Sequence, residues 1–207
     1  MNAVEPVVCI VDDDSSFRRA VARLVRSAGM EAITYGSAQE YLGSPEASRA
    51  GCLLLDLSMP GQTGLELQEA LIDRIGTPPI IFVTGQGDIP STVQAMRRGA
   101  VEFLTKPVDE DVLLQAIRDA IERDRAERSA RRERESVQSR LASLTPRESE
   151  VLRHVISGRL NKQIAGDLGT VEKTIKVHRS RLMSKLEVRS VAALVRLAAQ
   201  AGVEPVA

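Results

Sequence analysis

The first 120 residues alternate two hydrophobic rhythms. Short, mostly continuously apolar runs near 7–11, 32–35, 52–56, 80–83 and 101–104 are separated by helical stretches at 15–28, 37–43, 64–73, 89–98 and from about 109. Short unbroken apolar runs are the pattern of parallel strands covered on both faces. Strand alternating with helix predicts an α/β fold, a doubly wound five-stranded parallel sheet. Ser37 and Glu40 have the spacing of a capping box for the second helix. From residue 144 the rhythm is helical only. Thr145-Pro146-Arg147-Glu148 reads as a helix start, with a Thr cap, Pro in the first position and Glu in the third. Val151, Leu152, Val155 and Ile156 follow at helical spacing, and Gly158 stops the helix. Further helices are expected at 161–168, 172–186 and 190–201, which makes a small all-α four-helix domain. Residues 121–143 belong to neither rhythm. They carry mixed-sign charges at helical spacing and no Gly or Pro, and are expected to continue the fifth helix as a charged linker. The expected division is therefore 1–120, 121–143 and 144–207.

Charge sharpens that division. The net charge is zero, but residues 1–120 hold 10 Lys/Arg against 17 Asp/Glu, and residues 121–207 hold 18 against 11. An acidic half joined to a basic half points to two tasks, with nucleic acid as the partner of the basic one. Aromatics are only 2% and Trp is absent, so base stacking is not the expected binding mode. Cys9 and Cys52 fall in expected buried strands and read as reduced core thiols, without metal-ligand spacing. The sequence shows no signal peptide and no long apolar span, which predicts a soluble, cytoplasmic protein.

Candidate chemistry collects at the strand ends. Asp56 closes the run Cys52-Leu53-Leu54-Leu55, and Asp12-Asp13-Asp14 closes the first strand. Thr84 follows Ile80-Ile81-Phe82-Val83, and Lys106 follows the fifth run. A doubly wound sheet binds ligands at the carboxyl ends of its strands. A buried carboxylate is costly unless its charge is compensated. Carboxylates, a hydroxyl and an ammonium at one sheet edge describe a site for a divalent metal and a phosphoryl group. Asp56 is the candidate nucleophile. Asp13 is a candidate direct partner of Mg²⁺ and Asp12 a partner through water, which suits an ion that takes few carboxylates and keeps waters. Lys106 would balance one phosphoryl oxygen and Thr84 would hydrogen-bond another. Singly, each has a structural reading: Asp14 is placed to cap the first helix, Thr84 could cap a turn, and Lys106 could be a solvated lysine. Together those readings require five coincidences at one sheet edge.

These residues carry a resemblance. Asp12-Asp13, Asp56 with Met59-Pro60-Gly61, Thr84-Gly85 and Lys106-Pro107 resemble the receiver domain of bacterial two-component response regulators over roughly residues 5–120. The resemblance implies phosphorylation of Asp56 by a sensor histidine kinase. It implies a backbone-carbonyl metal ligand at Ser58, an aromatic switch at Phe103 and a cis bond at Lys106-Pro107. Phe103 stands where Tyr is common, so no role needing a phenolic hydroxyl transfers to it.

The segment from Asn161 to Arg179, with Lys173-Thr174-Ile175-Lys176-Val177-His178 at its heart, is similar to the helix-turn-helix of LuxR-type regulators, and 144–203 covers that domain. Residues 144–203 count 11 basic against 5 acidic side chains, which favours nucleic acid. Ile175, Leu182 and Leu186 share one stripe of the third helix, with His178 packed beside it. Lys173, Lys176, Val177, Ser180 and Arg181 share the opposite face. A helix with a basic outward face fits the major groove. The resemblance assigns base reading to Lys176, Val177 and Ser180, phosphate contact to Arg179, and a place in the interface to Thr174. Val171 departs from the usual Ser or Thr cap, so Thr170 is expected to cap instead. The whole chain resembles the NarL/FixJ class of response regulators. That resemblance implies a non-enzymatic, phosphorylation-dependent transcription regulator that dimerises on double-stranded promoter DNA, with RNA polymerase as a further partner. Two other classes stay open: a phosphorylation-independent DNA-binding protein with a vestigial receiver, and an enzyme-output regulator or stand-alone phosphatase, for which 144–203 offers no nucleophile–base pair.

Overall fold

The structure is a computed structural model that describes residues 7–72, 74, 76–85 and 87–206. The chain divides into two compact units, Met1–Arg128 and Ser129–Ala207. In the first, strands β1 (Val7–Val11), β2 (Glu31–Tyr35), β3 (Ala50–Leu55), β4 (Ile80–Thr84) and β5 (Glu102–Thr105) form one sheet in the order β2-β1-β3-β4-β5. Every pairing is parallel. Helices α1 (Ser15–Ser27), α2 (Ala38–Gly43), α3 (Gly64–Ile72), α4 (Ile89–Arg97) and α5 (Glu110–Ala142) connect and extend the strands. The expected end of the third helix, residue 73, lies outside the described residues. A short 3-10 helix at Pro45–Arg49 was not legible in the sequence pattern.

Alternation along the strands builds two cores. Val7, Cys9 and Val11 face a cluster with Tyr41 of α2, Leu67 and Leu71 of α3 and Ala95 of α4. Val8 and Ile10 face a second cluster with Val21 and Val25 of α1 and Leu113 and Ile117 of α5. A strand buried on both faces has no polar side to spare, which is why its sequence is apolar without a break. Cys9 and Cys52 are free and buried, as expected, and burial pushes the Cys9 thiol up to about 11. Asp14 caps α1, accepting from the amides of Ser16 and Phe17. Ser37 caps α2 by accepting from Glu40, but the Glu40 carboxylate accepts from Gly36, one residue before the cap.

The charged segment after Ile121 is helical through Ala142. Within the first unit, Arg128 fastens α5 to the start of β3: it pairs with the buried Asp124 at 2.6 Å and donates to the Ala50 carbonyl at 2.7 Å. The second unit holds the last turns of α5 with α6 (Pro146–Ile156), α7 (Asn161–Asp167), α8 (Glu172–Lys185) and α9 (Val191–Gln200). Its core includes Val151, Ile164, Ile175, Leu182, Leu186 and Leu194, joined by Val137 of α5. The Thr145–Glu148 capping box forms in full. Gly158 and Gly169 sit at φ of +83° and +61°, where a side chain would be strained. The expected cap from Thr170 is not made: Val171 is the N-cap of α8 and supplies no side-chain hydrogen bond. Its side chain carries no acceptor, so the first turn of α8 lacks a side-chain cap and the Thr174 amide bonds the Val171 carbonyl at 2.9 Å instead.

Candidate functional site

The sheet order reverses between β1 and β3, and that reversal opens a crevice beyond their carboxyl ends. Asp12 follows β1, Asp56 follows β3, Thr84 closes β4 and Lys106 follows β5. Asp12, Asp56 and Thr84 are buried, at 1%, 5% and 0% exposure. Main-chain bonds hold these ends in register: Asp56 donates to the Val11 carbonyl at 2.9 Å and Lys106 to the Thr84 carbonyl at 2.8 Å. Gly64, at the start of α3, is required by close approach. A Cβ there would lie 2.2 Å from the Asp56 carbonyl oxygen.

Lys106 joins the two carboxylates. Its ammonium donates to Asp12 at 2.6 Å and to Asp56 at 3.3 Å. The other Asp56 oxygen accepts from the Ser58 amide at 3.1 Å, and the other Asp12 oxygen from the Asp14 amide at 2.8 Å. Arg18 donates to the Asp12 main-chain carbonyl. Burial raises the Asp56 carboxyl pKa, against the lowering effect of Lys106. Burial opposes the charge of Lys106, but the hydrogen bond and charges of Asp12 and Asp56 outweigh it and raise the ammonium. Two buried acids against one ammonium leave an excess of negative charge, which suits a cation or a charge-balancing proton.

Asp13 is exposed beside this cluster. Among the described residues, no three His, Cys, Asp or Glu side chains converge in a metal-binding arrangement. The donor chemistry nonetheless fits Mg²⁺, which binds oxygen alone, takes one or two carboxylates and keeps its waters. Asp12, Asp13, Asp56 and the Ser58 carbonyl offer only oxygen. Phe103 is half-buried, 6.0 Å from the Phe82 ring. A Cβ on Gly87 would stand 2.9 Å from it, so glycine there makes room for the Phe103 ring. The Lys106-Pro107 bond is cis.

In the second unit, Lys173, Lys176, Val177, Ser180 and Arg181 are exposed on α8, while Ile175 and Leu182 are fully buried. Lys176 pairs with Glu172 at 3.2 Å, within its own helix. Thr174 and Arg179 are half-buried, and Arg179 donates to Asn161 at 2.9 Å, tying α8 to the start of α7. His178 is half-buried with its Nδ1 enclosed, in keeping with a packed residue. Four contacts that hold α7 and α8 in place were not legible in the sequence pattern. Lys185 pairs with the buried Glu148 at 2.6 Å and donates to the Ser143 carbonyl at 2.9 Å. Arg140 donates to the Leu186 carbonyl at 2.9 Å, and Arg147 to the Leu168 carbonyl at 2.6 Å. No helix among the described residues is long and apolar enough to cross a membrane.

Comparison with known proteins places both sites in one family. The model of the response regulator receiver domain matches residues 8–118, and that of the bacterial regulatory proteins of the luxR family matches residues 142–198. Nodulation protein W of Bradyrhizobium diazoefficiens is 43% identical over 201 residues, which span 97% of this chain and 88% of that one. The transcriptional regulatory protein FixJ of Azorhizobium caulinodans is 37% identical over 198 residues, 96% of this chain and 94% of that one. The solved structure of the response regulator StyR is 47% identical, with a TM-score of 0.89 over 95% of this chain and 99% of that one. The chain belongs to the response regulators that join a receiver domain to a LuxR-type DNA-binding domain, and is a DNA-binding transcription regulator. Receiver domains normally use Mg²⁺ at their phosphorylation site.

Proposed function

We propose that Asp56 accepts a phosphoryl group from a sensor histidine kinase, and that the phosphorylated chain dimerises on promoter DNA. The observation that carries this reading is the Asp12–Lys106–Asp56 cluster at the switch point of the sheet. An Asp56 oxygen attacks the phosphorus of a phosphohistidine. The P–N bond breaks, its electron pair returns to the imidazole, and an acyl phosphate remains on Asp56. Lys106 shifts its pairing from the carboxylate to a phosphoryl oxygen, and Thr84 hydrogen-bonds another. Asp12, Asp13, Asp56 and the Ser58 carbonyl would hold Mg²⁺, which neutralises the phosphoryl oxygens when bound.

The signal then leaves through Thr84 and Phe103. Thr84 moves toward the phosphoryl group, Phe103 turns inward past Gly87, and the surface of α4, β5 and the start of α5 is reshaped for dimerisation. Each copy brings an α8 to a half-site in the major groove. Lys176, Val177 and Ser180 read base edges. Lys173, Thr174, Arg179 and Arg181 flank them toward the backbone. In this reading the chain works in the cytoplasm as a receiver at 1–120, a charged helical linker at 121–143 and a DNA-binding domain at 144–207, with RNA polymerase as a further partner.

The test is incubation of the chain with acetyl phosphate and Mg²⁺, read by intact mass. The wild type is expected to gain one phosphate, and Asp56→Asn none while it stays folded. Stoichiometric phosphate on the Asn variant, with the acid and base lability of the wild type, would overturn the assignment.

A further inference from the structure

Phe17 belongs neither to the strand-end motif nor to the phosphoryl-transfer residues Asp12, Asp13, Asp56, Thr84 and Lys106. It lies in the first turn of α1, half-buried against the cluster that packs α1 and α5 on the sheet. Its ring also stands at the phosphorylation site: the Lys106 ammonium is 4.1 Å from the ring centroid. The ammonium therefore has three partners, two carboxylates and the face of an aromatic ring. The ring's quadrupole presents negative charge on that face, and a cation within about 6 Å is drawn to it, more strongly where water is excluded. Lys106 needs such a partner. Its ammonium ends a flexible four-carbon stem, which holds one geometry only when several contacts fix it.

We propose that Phe17 is a positioning residue for phosphorylation: its ring face holds the Lys106 ammonium where the incoming phosphoryl oxygen arrives. The inference rests on the reading of Asp56 as phosphoacceptor and deepens it. Of the two carboxylates, only Asp12 keeps its oxygens through the reaction. Asp56 gives up an oxygen to phosphorus during the reaction, and so its contact with Lys106 must change. The ring takes no part in the chemistry, so it stays a fixed partner before and after transfer. The side chain also packs against the apolar cluster of α1 and α5, which helps to hold the ring in place.

Two readouts on the full chain separate this role from packing. Phe17→Leu keeps an apolar side chain but removes the ring face, while Phe17→Tyr and Phe17→Trp keep it. With acetyl phosphate and Mg²⁺, the Leu variant should take up phosphate about threefold to tenfold more slowly than the wild type, and Tyr or Trp should restore most of the rate. Independently of phosphate, competitive labelling of lysines with acetic anhydride, read by peptide mass, should show Lys106 reacting faster in the Leu variant alone. Wild-type rate and wild-type Lys106 labelling in Phe17→Leu would overturn the proposal. So would equal slowing in Leu, Tyr and Trp variants in step with lost thermal stability, because that is the mark of packing. If the wild type itself takes up no phosphate, the phosphoacceptor reading falls, and the labelling contrast still decides whether Phe17 holds Lys106.

Discussion

The two functional regions use charge in opposite ways. At the sheet edge, Asp12 and Asp56 are buried and share one ammonium, and every carboxylate oxygen has a donor. On α8, Lys173, Lys176 and Arg181 stand in solvent, and the pair Lys176–Glu172 lies along the helix surface. Buried charges interact strongly because water does not screen them, and each must have a partner. Exposed charges interact weakly with one another and remain available to a polyanion. The first region is therefore built to react at one place, and the second to bind along a surface. Glu148 complicates the contrast, because the DNA-binding unit also contains a buried carboxylate, paired with Lys185 and bonded to the Thr145 amide.

Removing the shared ammonium should give the largest effect. Lys106→Met is expected to slow phosphate uptake by about a hundredfold or more, as losing one preorganised donor at a reacting oxyanion does in enzymes. The measurement is a time course of phosphate incorporation at fixed acetyl phosphate and Mg²⁺. A rate within a few-fold of wild type would mean that the buried cluster is structural, and the contrast with α8 would lose its functional meaning.

The exception at Glu148 gives the next effect. Its side-chain bond from Lys185, then the amide bond from Thr145, hold its carboxyl at about 2, below the usual 4.5. A depressed folded-state pKa means that this stabilisation is present above pH 4.5 and is lost as the pH falls through that value toward about 2. Glu148→Gln should therefore lower stability by about 1–2 kcal/mol near neutral pH, through a weakened cap and a lost charged bond. The deficit should shrink as the solution is acidified. Hydrogen exchange of the α6 and α8 amides across pH reads this directly. A deficit independent of pH would show that the Lys185 contact contributes nothing through charge.

The outward face gives the smallest effects, and they should differ in kind. Lys176→Ala is expected to cost about 1–3 kcal/mol on the preferred sequence and to relax preference at one base position. Arg179→Ala should weaken binding to all sequences alike and lower the salt slope by about one. Its bond to Asn161 adds a structural route, so Asn161→Ala is the control: it should leave the salt slope unchanged. Binding curves on specific and scrambled DNA at several salt concentrations supply all three numbers. If Lys176→Ala and Arg179→Ala leave both specificity and slope untouched, α8 is not the recognition helix.

Local pattern carried much of this molecule. The two-faced burial of the central strands β1, β3 and β4 follows from their unbroken apolar runs, because a strand with helices on both sides has no solvent face to encode. The helix starts at Asp14 and Thr145 follow from side chains that bond amides two or three residues away. The strand-end residues were legible for the same reason: they sit at fixed places relative to apolar runs. The missing cap on α8 was not, since Thr170 and Val171 are adjacent and only backbone geometry selects which becomes the N-cap.

What the sequence determined by itself is therefore everything set by near neighbours: the elements, the two charge-divided halves and the identity of the residues at strand ends. What only the tertiary structure decided is which distant groups meet. Lys106 reaches Asp12 across 94 positions of chain and Asp56 across 50, Lys185 reaches Glu148 across 37, and Arg128 reaches Ala50 across 78. Phe17 looks like one more apolar residue of an amphipathic helix until the sheet brings Lys106 over its ring. Periodicity reports the face a residue occupies, whereas a charge's partner is fixed by strand order, and strand order is settled by packing the whole sheet.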